Sequence, residues 1–214
     1  MRKTIAGNIL GIVVVLGSAW GLSECALGAA LQACASRMSG SIMTGVALFF
    51  IAATWAVTKK TWSVGLLVLL AALFKMFDAL LLSLPLRDGA IANPIFAFVL
   101  EGAAFVVLAT IAAGKLGQKT AGRAAWGGAA ALIAAGAFPL VKGVTGIAAC
   151  LAPGTGIPLA WYYAPIAIVV SAVMVPLGIR AGEKVLGFKL KLNFLAPSLA
   201  VGLTLGVMVL ARQL

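Results

Sequence analysis

Apolar positions fall into long unbroken runs along this chain, separated by short polar or basic stretches. Seven runs stand out: Ile5–Gln32, Gly40–Val57, Trp62–Leu84, Ile91–Ala113, Ala124–Cys150, Leu159–Ile179 and Asn193–Leu210. A bilayer core about 30 Å thick is crossed by about 20 helical residues rising about 1.5 Å each. Strands of a membrane barrel would show short alternating segments instead. Continuous runs rich in Ala, Leu and Gly therefore predict transmembrane helices. Pro139, Lys142 and Gly143 interrupt the fifth run. No linker, repeat or low-complexity tract divides residues 1–214, which read as a single transmembrane domain.

The basic residues between the runs give the bundle a direction. Numbered alternately from the N-terminus, one set of loops holds Arg2, Lys3, Lys59, Lys60, Lys115, Lys119, Arg123, Arg180, Lys184, Lys189 and Lys191. The other set holds Arg37, Arg87 and Arg212. Cytoplasmic loops carry the excess of Lys and Arg, so the N-terminus is expected in the cytoplasm and the C-terminus outside. The fold expected is all-α, a polytopic transmembrane helix bundle of six to seven spans. The first run follows Met1-Arg2-Lys3 but is too long for a signal-peptide core and contains Glu24, so it reads as a retained helix. Residues 181–192 alternate Lys with apolar positions, as either an amphipathic surface segment or a solvated loop would.

Composition agrees and removes several functional classes. The chain is 63% hydrophobic and 10% charged, against about 25% charged in soluble domains. Its net charge of +11 sits in short loops without a basic domain, which argues against a nucleic-acid partner. There is no His, hence no usual haem ligand or neutral-pH proton shuttle. Cys25, Cys34 and Cys150 form no CxxC pair, so a zinc or iron–sulfur site is not expected. Cys34 and Cys150 fall at outer ends of runs and are expected to approach each other, with Cys25 deeper and reduced. No metalloprotease, nucleophile-elbow, P-loop or dinucleotide motif is present; no enzyme activity and no cofactor are expected.

The chemistry is concentrated in charges placed inside the runs. Glu24, Lys75, Asp78, Glu101 and Lys142 all lie within predicted spans, where an unpaired charge costs about 3 kcal/mol on insertion scales. Counted along helices of alternating direction, the five share one layer in the outer half of the bundle. A water-accessible cavity, closed toward the cytoplasm and capped by the loop before Trp161, would hold all five. The alternative is a lattice of buried ion pairs that fixes helix packing. Lys75 and Asp78, spaced i, i+3, can pair directly, either as a self-neutralised pair or as a charge offered to a solute. Trp20 and Asn93 complete the candidate substrate-binding set, with Ser23, Gln32 and Thr145 nearby. Trp161, Tyr162 and Tyr163 read as an interfacial aromatic belt, with stacking on a ligand as the alternative. Gly7-xxx-Gly11, Gly17-xxx-Gly21 and Ala26-xxx-Ala30 allow close helix approach, first of all within the chain.

The run Trp20-Gly-Leu-Ser-Glu24-Cys-Ala-Leu-Gly28-Ala-Ala-Leu31, then Gly40-Ser-Ile-Met-Thr-Gly45, resembles the opening of bacterial substrate-binding S components of energy-coupling-factor transporters. Leu73-Phe-Lys75 and Asn93-Pro94-Ile-Phe-Ala-Phe-Val-Leu-Glu101-Gly102 are similar to the same proteins. The resemblance covers roughly the first half of the chain. It implies a bacterial inner-membrane protein that binds a vitamin-like solute from outside and docks, through small residues such as Gly7 and Gly11, on a transmembrane coupling protein with two ATPases. The expected function is thus solute uptake. Carboxylates of the charged layer would hold cationic groups, and Lys75 and Lys142 a carboxylate or phosphate, which suits a mixed-charge organic solute. The competing readings are an ion-coupled secondary transporter and a non-catalytic structural subunit of a membrane complex.

Overall fold

A computed structural model of the chain describes residues 2–33, 38–116, 119–146, 151–187 and 195–211. They form α1 (Arg2–Ala33), α2 (Ser39–Thr58), α3 (Thr61–Leu81), α4 (Gly89–Leu116), α5 (Thr120–Ala137), a 3-10 turn over Phe138–Leu140, α6 (Val141–Thr145), α7 (Leu159–Tyr162), α8 (Ala164–Gly187) and α9 (Leu195–Ala211). Leu151 and Pro158 make an isolated antiparallel bridge in the α6–α7 connection.

Among the described residues, five helical stretches are long and apolar enough to cross a membrane: Ile9–Leu27, Ser39–Thr58, Thr61–Leu81, Gly89–Ile111 and Ala164–Val185. α9 is a shorter apolar helix of 17 residues. Large apolar side chains cover the outside of the bundle, with Ile111 76% and Leu80 74% exposed. Water would penalise such a surface and lipid does not, so the architecture is that of a multi-pass helical membrane protein.

Two of the expected segments are broken, each at a proline. The fifth does not run unbroken from Ala124 to Cys150: α5 stops at Ala137 and the 3-10 turn takes over at Phe138. Pro139 has no N–H to continue the ladder and disfavours helical backbone at the residue before it. The sixth is split at Tyr163 into α7 and α8. Pro165 stands in the first turn of α8, where a missing N–H is tolerated. α8 then continues to Gly187, so the first part of the expected linker over residues 181–192 is helix. The third segment ends at Leu81 rather than Leu84. The amides of Ser83 and Leu84 close back on the carbonyls of Leu80 and Ala79 at 3.2 and 3.0 Å. Ser83 is left-handed at φ 52°, a Schellman ending ahead of Pro85. α4 begins on Asp88, whose Oδ1 accepts the Ala90 amide at 2.8 Å, an N-cap.

α8 packs most extensively against α2 and then α5, and glycine sets the approach. The Cα of Gly178 lies against the carbonyl of Phe49, and a Cβ on Gly182 would stand 2.5 Å from the carbonyl of Ala53. On the other side Gly127 of α5 lies against the Ser171 carbonyl. Close backbone approach through small residues is how membrane helices gain packing where burial from water contributes little. α1 packs on α3 and α9. Gly17 and Gly21 sit under Leu70 and Phe74 of α3, so this motif serves internal packing. The Thr204 hydroxyl of α9 donates to the Ser18 carbonyl at 3.0 Å. Gly11 is also buried within the chain, whereas the docking role implied by the resemblance needs an exposed residue; the surroundings of Gly7 and Ala30 lie outside the described residues.

One apolar core draws on α1, α2, α3, α4, α5 and α8. At its centre are aromatic rings: Trp20 edge-on to Phe98 at 4.9 Å, Phe105 stacked on Trp126 at 4.6 Å, and Trp55 edge-on to Trp126 at 5.0 Å. A smaller cluster of Cys25, Phe74 and Met208 joins α1, α3 and α9.

Candidate functional site

A cavity of about 540 Å³ occupies one end of the bundle, beside the start of α2, the end of α3 and the start of α4. Its wall comes from six of the long helices and from α7, and includes Glu24, Ser41, Thr44, Lys75, Asn93, Phe98, Glu101, Phe138 and Tyr163. The volume falls in the range of about 300–1,000 Å³ typical of small-molecule sites. The wall also has the usual character, mostly Ala, Pro, Met and aromatic carbon with a few polar groups.

Four of the helices, α1 to α4, show the same order of side chains around this space. One turn below Glu24 is Trp20, below Thr44 is Leu48, below Lys75 is Ala71, and below Glu101 is Phe105. Trp20, Leu48 and Phe105 are fully buried and Ala71 nearly so. On α1 and α3 the apolar residue lies four positions earlier, and on α2 and α4 four later, because alternate helices run in opposite directions. The deep end of the cavity is therefore stopped by a layer of packed side chains.

Of the expected set, Glu24, Lys75, Asn93 and Glu101 line this cavity together. Asp78 does not. It lies behind the wall, 3% exposed, where Glu24, Lys75 and Asp78 with Cys25, Phe74 and Met208 border a second void of about 10 Å³, space for one water. Lys75 Nζ donates to Asp78 Oδ2 at 3.0 Å. The single cavity expected for the charged layer is thus two spaces, divided because the i, i+3 partner of Lys75 turns toward α9. Trp20 is not a wall residue either: it is 0% exposed, and its Nε1 donates to Glu24 Oε1 at 3.2 Å, positioning that carboxylate from below. Lys142 falls in α6, but its side chain lies outside the described residues, as do Gln32, Cys34 and Cys150.

The connection before Trp161 contributes differently from the expected cap. Leu159, Ala160 and Tyr163 reach the cavity, while its turned part, residues 151–158, is not in the wall. Gly154 and Gly156, at φ 72° and 62°, fold that part onto itself, with the Ala152 amide donating to the Ile157 carbonyl at 2.8 Å. Trp161 and Tyr162 are each 51% exposed, and Trp161 Nε1 donates to the Gly136 carbonyl at 3.3 Å. The rim on the other side is tied by Ser41, whose hydroxyl donates to the Tyr163 carbonyl at 3.0 Å.

Among the buried side-chain polar atoms of the described cavity residues, Glu101 Oε2 and Asn93 Oδ1 are left without a hydrogen bond. Glu101 is 2% exposed. Glu24 is close enough for its charge to act on Glu101, and Thr44 lies within hydrogen-bonding reach of the Glu101 carboxyl. An unsatisfied buried acceptor costs about 1–3 kcal/mol and more when charged, so its place beside an open space points to a donor from outside the chain. Thr44 and Ser41 are site residues that sequence reasoning missed, whereas Tyr163 at the wall is one of the three aromatics for which ligand stacking was the alternative to an interfacial belt. Thr44 lies inside the quoted Gly40–Gly45 run, but a lone hydroxyl in an apolar helix carries no signal of its own, since it can equally bond its own backbone.

Among the described residues no three His, Cys, Asp or Glu side chains gather closely enough to hold a metal ion. Compared with known proteins, the chain matches no family model, no curated protein and no solved structure, so the geometry of the cavity alone carries the functional reading.

Proposed function

We propose that the chain is a solute-binding protein of the cytoplasmic membrane that takes a small organic molecule into this cavity from outside. The observation that carries the reading is the cavity of about 540 Å³ with the unpartnered carboxylate oxygen of Glu101 at its wall. In this reading α9 and the α5–α6 stretch also cross the bilayer, giving seven spans with the N-terminus in the cytoplasm. The cavity end carries Arg87, and the opposite end carries Lys59, Lys60, Lys119, Arg123, Arg180 and Lys184, so the excess of positive charge puts the cavity mouth outside. With no ATPase motif of its own, the chain works as an S-component-like subunit that depends on a coupling protein and two ATPases.

Purification in mild detergent, followed by mass spectrometry of the small molecules and proteins retained, tests this. A retained solute together with a membrane coupling protein and ATPases is the expected result. Uptake into liposomes by the purified chain alone would instead favour an ion-coupled transporter. A preparation with protein partners but no retained solute and no solute response would favour a structural subunit.

A further inference from the structure

We propose that the solute carries a basic nitrogen, an ammonium or amidinium group, seated between Glu24 and Glu101, with an apolar or aromatic body against Phe98, Phe138 and Tyr163. The proposal rests on the solute-binding reading and narrows it to one charge class.

The distribution of acid in the chain is the first argument. There are 16 Lys and Arg against five Asp and Glu, yet three of those five, Glu24, Asp78 and Glu101, gather at the cavity and the small void behind it. The remaining two, Asp88 and Glu183, are accounted for locally. Asp88 caps α4 and Glu183 pairs with Arg123 at 2.7 Å. The one described Lys or Arg in the cavity wall is Lys75, and its ammonium is engaged by Asp78 at 3.0 Å. Setting that pair aside as neutral leaves two carboxyls, Glu24 and Glu101, facing the space in a chain that is otherwise strongly basic. An anionic solute would meet them in low dielectric, where like charges repel most strongly.

Hydrogen-bond capacity points the same way. The unpartnered atoms, Glu101 Oε2 and Asn93 Oδ1, are acceptors, and the Trp20 indole N–H is already given to Glu24. Both of these atoms call for a donor, and a protonated nitrogen supplies two or three. A bare metal ion fits poorly, because among the described residues no three-ligand group exists and the cavity is far larger than an ion. Phe98, Phe138 and Tyr163 in the wall offer apolar contact, and an aromatic ring beside a cation adds attraction.

Three probes that share an indole ring separate the possibilities: tryptamine (cationic), 3-ethylindole (neutral) and indole-3-acetate (anionic). Their affinities for the detergent-purified full chain are measured by thermal shift and native mass spectrometry. Tryptamine is expected to bind about tenfold or more tighter than either of the others, a factor worth about 1.4 kcal/mol. Glu101→Gln, which keeps the side-chain volume, is expected to abolish that preference while leaving 3-ethylindole unchanged; Glu24→Gln serves if the first variant does not fold. Preference for indole-3-acetate or 3-ethylindole overturns the cation assignment and leaves solute binding standing. No response to any of the three, from a preparation that also retains no small molecule, overturns the solute-binding reading itself.

Discussion

Lys75 and Asp78 are joined at 3.0 Å across one turn of α3, and both border the water-sized void toward α9, but Lys75 alone of the two also reaches the large cavity. The pair therefore works as a partition whose charge is spent inside the protein. Removing one member leaves the other charge in low dielectric, which costs about 3–5 kcal/mol. Lys75→Met is expected to lower stability by that order, because Asp78 is 3% exposed. Lys75→Met combined with Asp78→Asn should recover much of the loss. Unfolding titrations of the wild type, both single variants and the double variant in detergent give the coupling as a double-mutant cycle. Additive losses would show that the pair contributes nothing as a pair.

The close approach of α8 to α2 yields a prediction that distinguishes glycines by position. Gly178 is pressed against the Phe49 carbonyl, whereas Gly206 on α9 has open space around its Cα. Gly178→Ala must push two backbones apart and is expected to destabilise by about 1–3 kcal/mol. Gly206→Ala should be neutral or stabilise by about 0.5–1 kcal/mol, since Ala loses less backbone freedom in a helix. Thermal stability in detergent, followed by fluorescence-detected size exclusion, checks both. Equal effects would mean that the α2–α8 contact does not limit stability.

These two cases mark how far the sequence could be read. Long apolar runs between basic loops were enough to read the chain as helical and membrane-spanning, because a helix that satisfies its own backbone is the cheapest way for such runs to lie in lipid. Glu24, Lys75 and Glu101 could be brought to one cavity by counting about 1.5 Å per residue from the helix ends, since depth follows from length alone. Rotation about each helix axis does not. That is why Asp78, one turn from Lys75, turned out to face another void, and Trp20 to sit beneath Glu24 in the core. The break at Pro139 was visible as an interruption, but the α7 turn packed beside it, where Trp161 donates to the Gly136 carbonyl, could not be read from that interruption. The glycines that matter most, Gly178 and Gly127, could not be told from the other 23 of the 25 without knowing which helices are neighbours.

Orientation has a direct chemical test. The Lys119 end of the bundle is expected in the cytoplasm and the Arg87 end outside, following the excess of positive charge. In a chain with Cys25, Cys34 and Cys150 replaced by Ser, Arg87→Cys should react with a membrane-impermeant maleimide applied to intact cells. Lys119→Cys should react after permeabilisation. Labelling at 119 from outside would invert the topology and place the cavity mouth in the cytoplasm.

At the end opposite the cavity, Lys59 reports on the charges that join α2, α5 and α8. Its ammonium lies 4.3 Å over the Trp55 ring. Partial burial pushes its pKa below the ordinary lysine value; Glu183 opposes the shift and Arg123 adds to it. Glu183→Gln removes the opposing negative charge and leaves Arg123 uncompensated, so Lys59 should lose its proton at lower pH. Arg123→Gln acts in the other direction and should move the titration to higher pH. The rate of acetylation at Lys59 as a function of pH, read by peptide mass spectrometry, should therefore rise at fixed pH in the first variant and fall in the second. Shifts of the same sign would show that these two charges do not act on Lys59 as their positions require.

The cavity can be filled without touching its charges. Ala97 on α4 lines the space two turns or less from both Asn93 and Glu101, so Ala97→Phe places a ring where the solute body would lie. The new side chain enters existing space and leaves the packed layer of Trp20, Leu48 and Phe105 intact, so stability should be retained or rise as cavity surface is covered. Ala104, on the same helix but 4% exposed within the core, provides the control: Ala104→Phe overpacks and is expected to cost about 1–3 kcal/mol. Tryptamine affinity should fall about tenfold or more in Ala97→Phe, with no loss of thermal stability. Retained affinity in a stably folded Ala97→Phe would mean that the ligand binds elsewhere, and the carboxylates of Glu24 and Glu101 would then be packing devices after all.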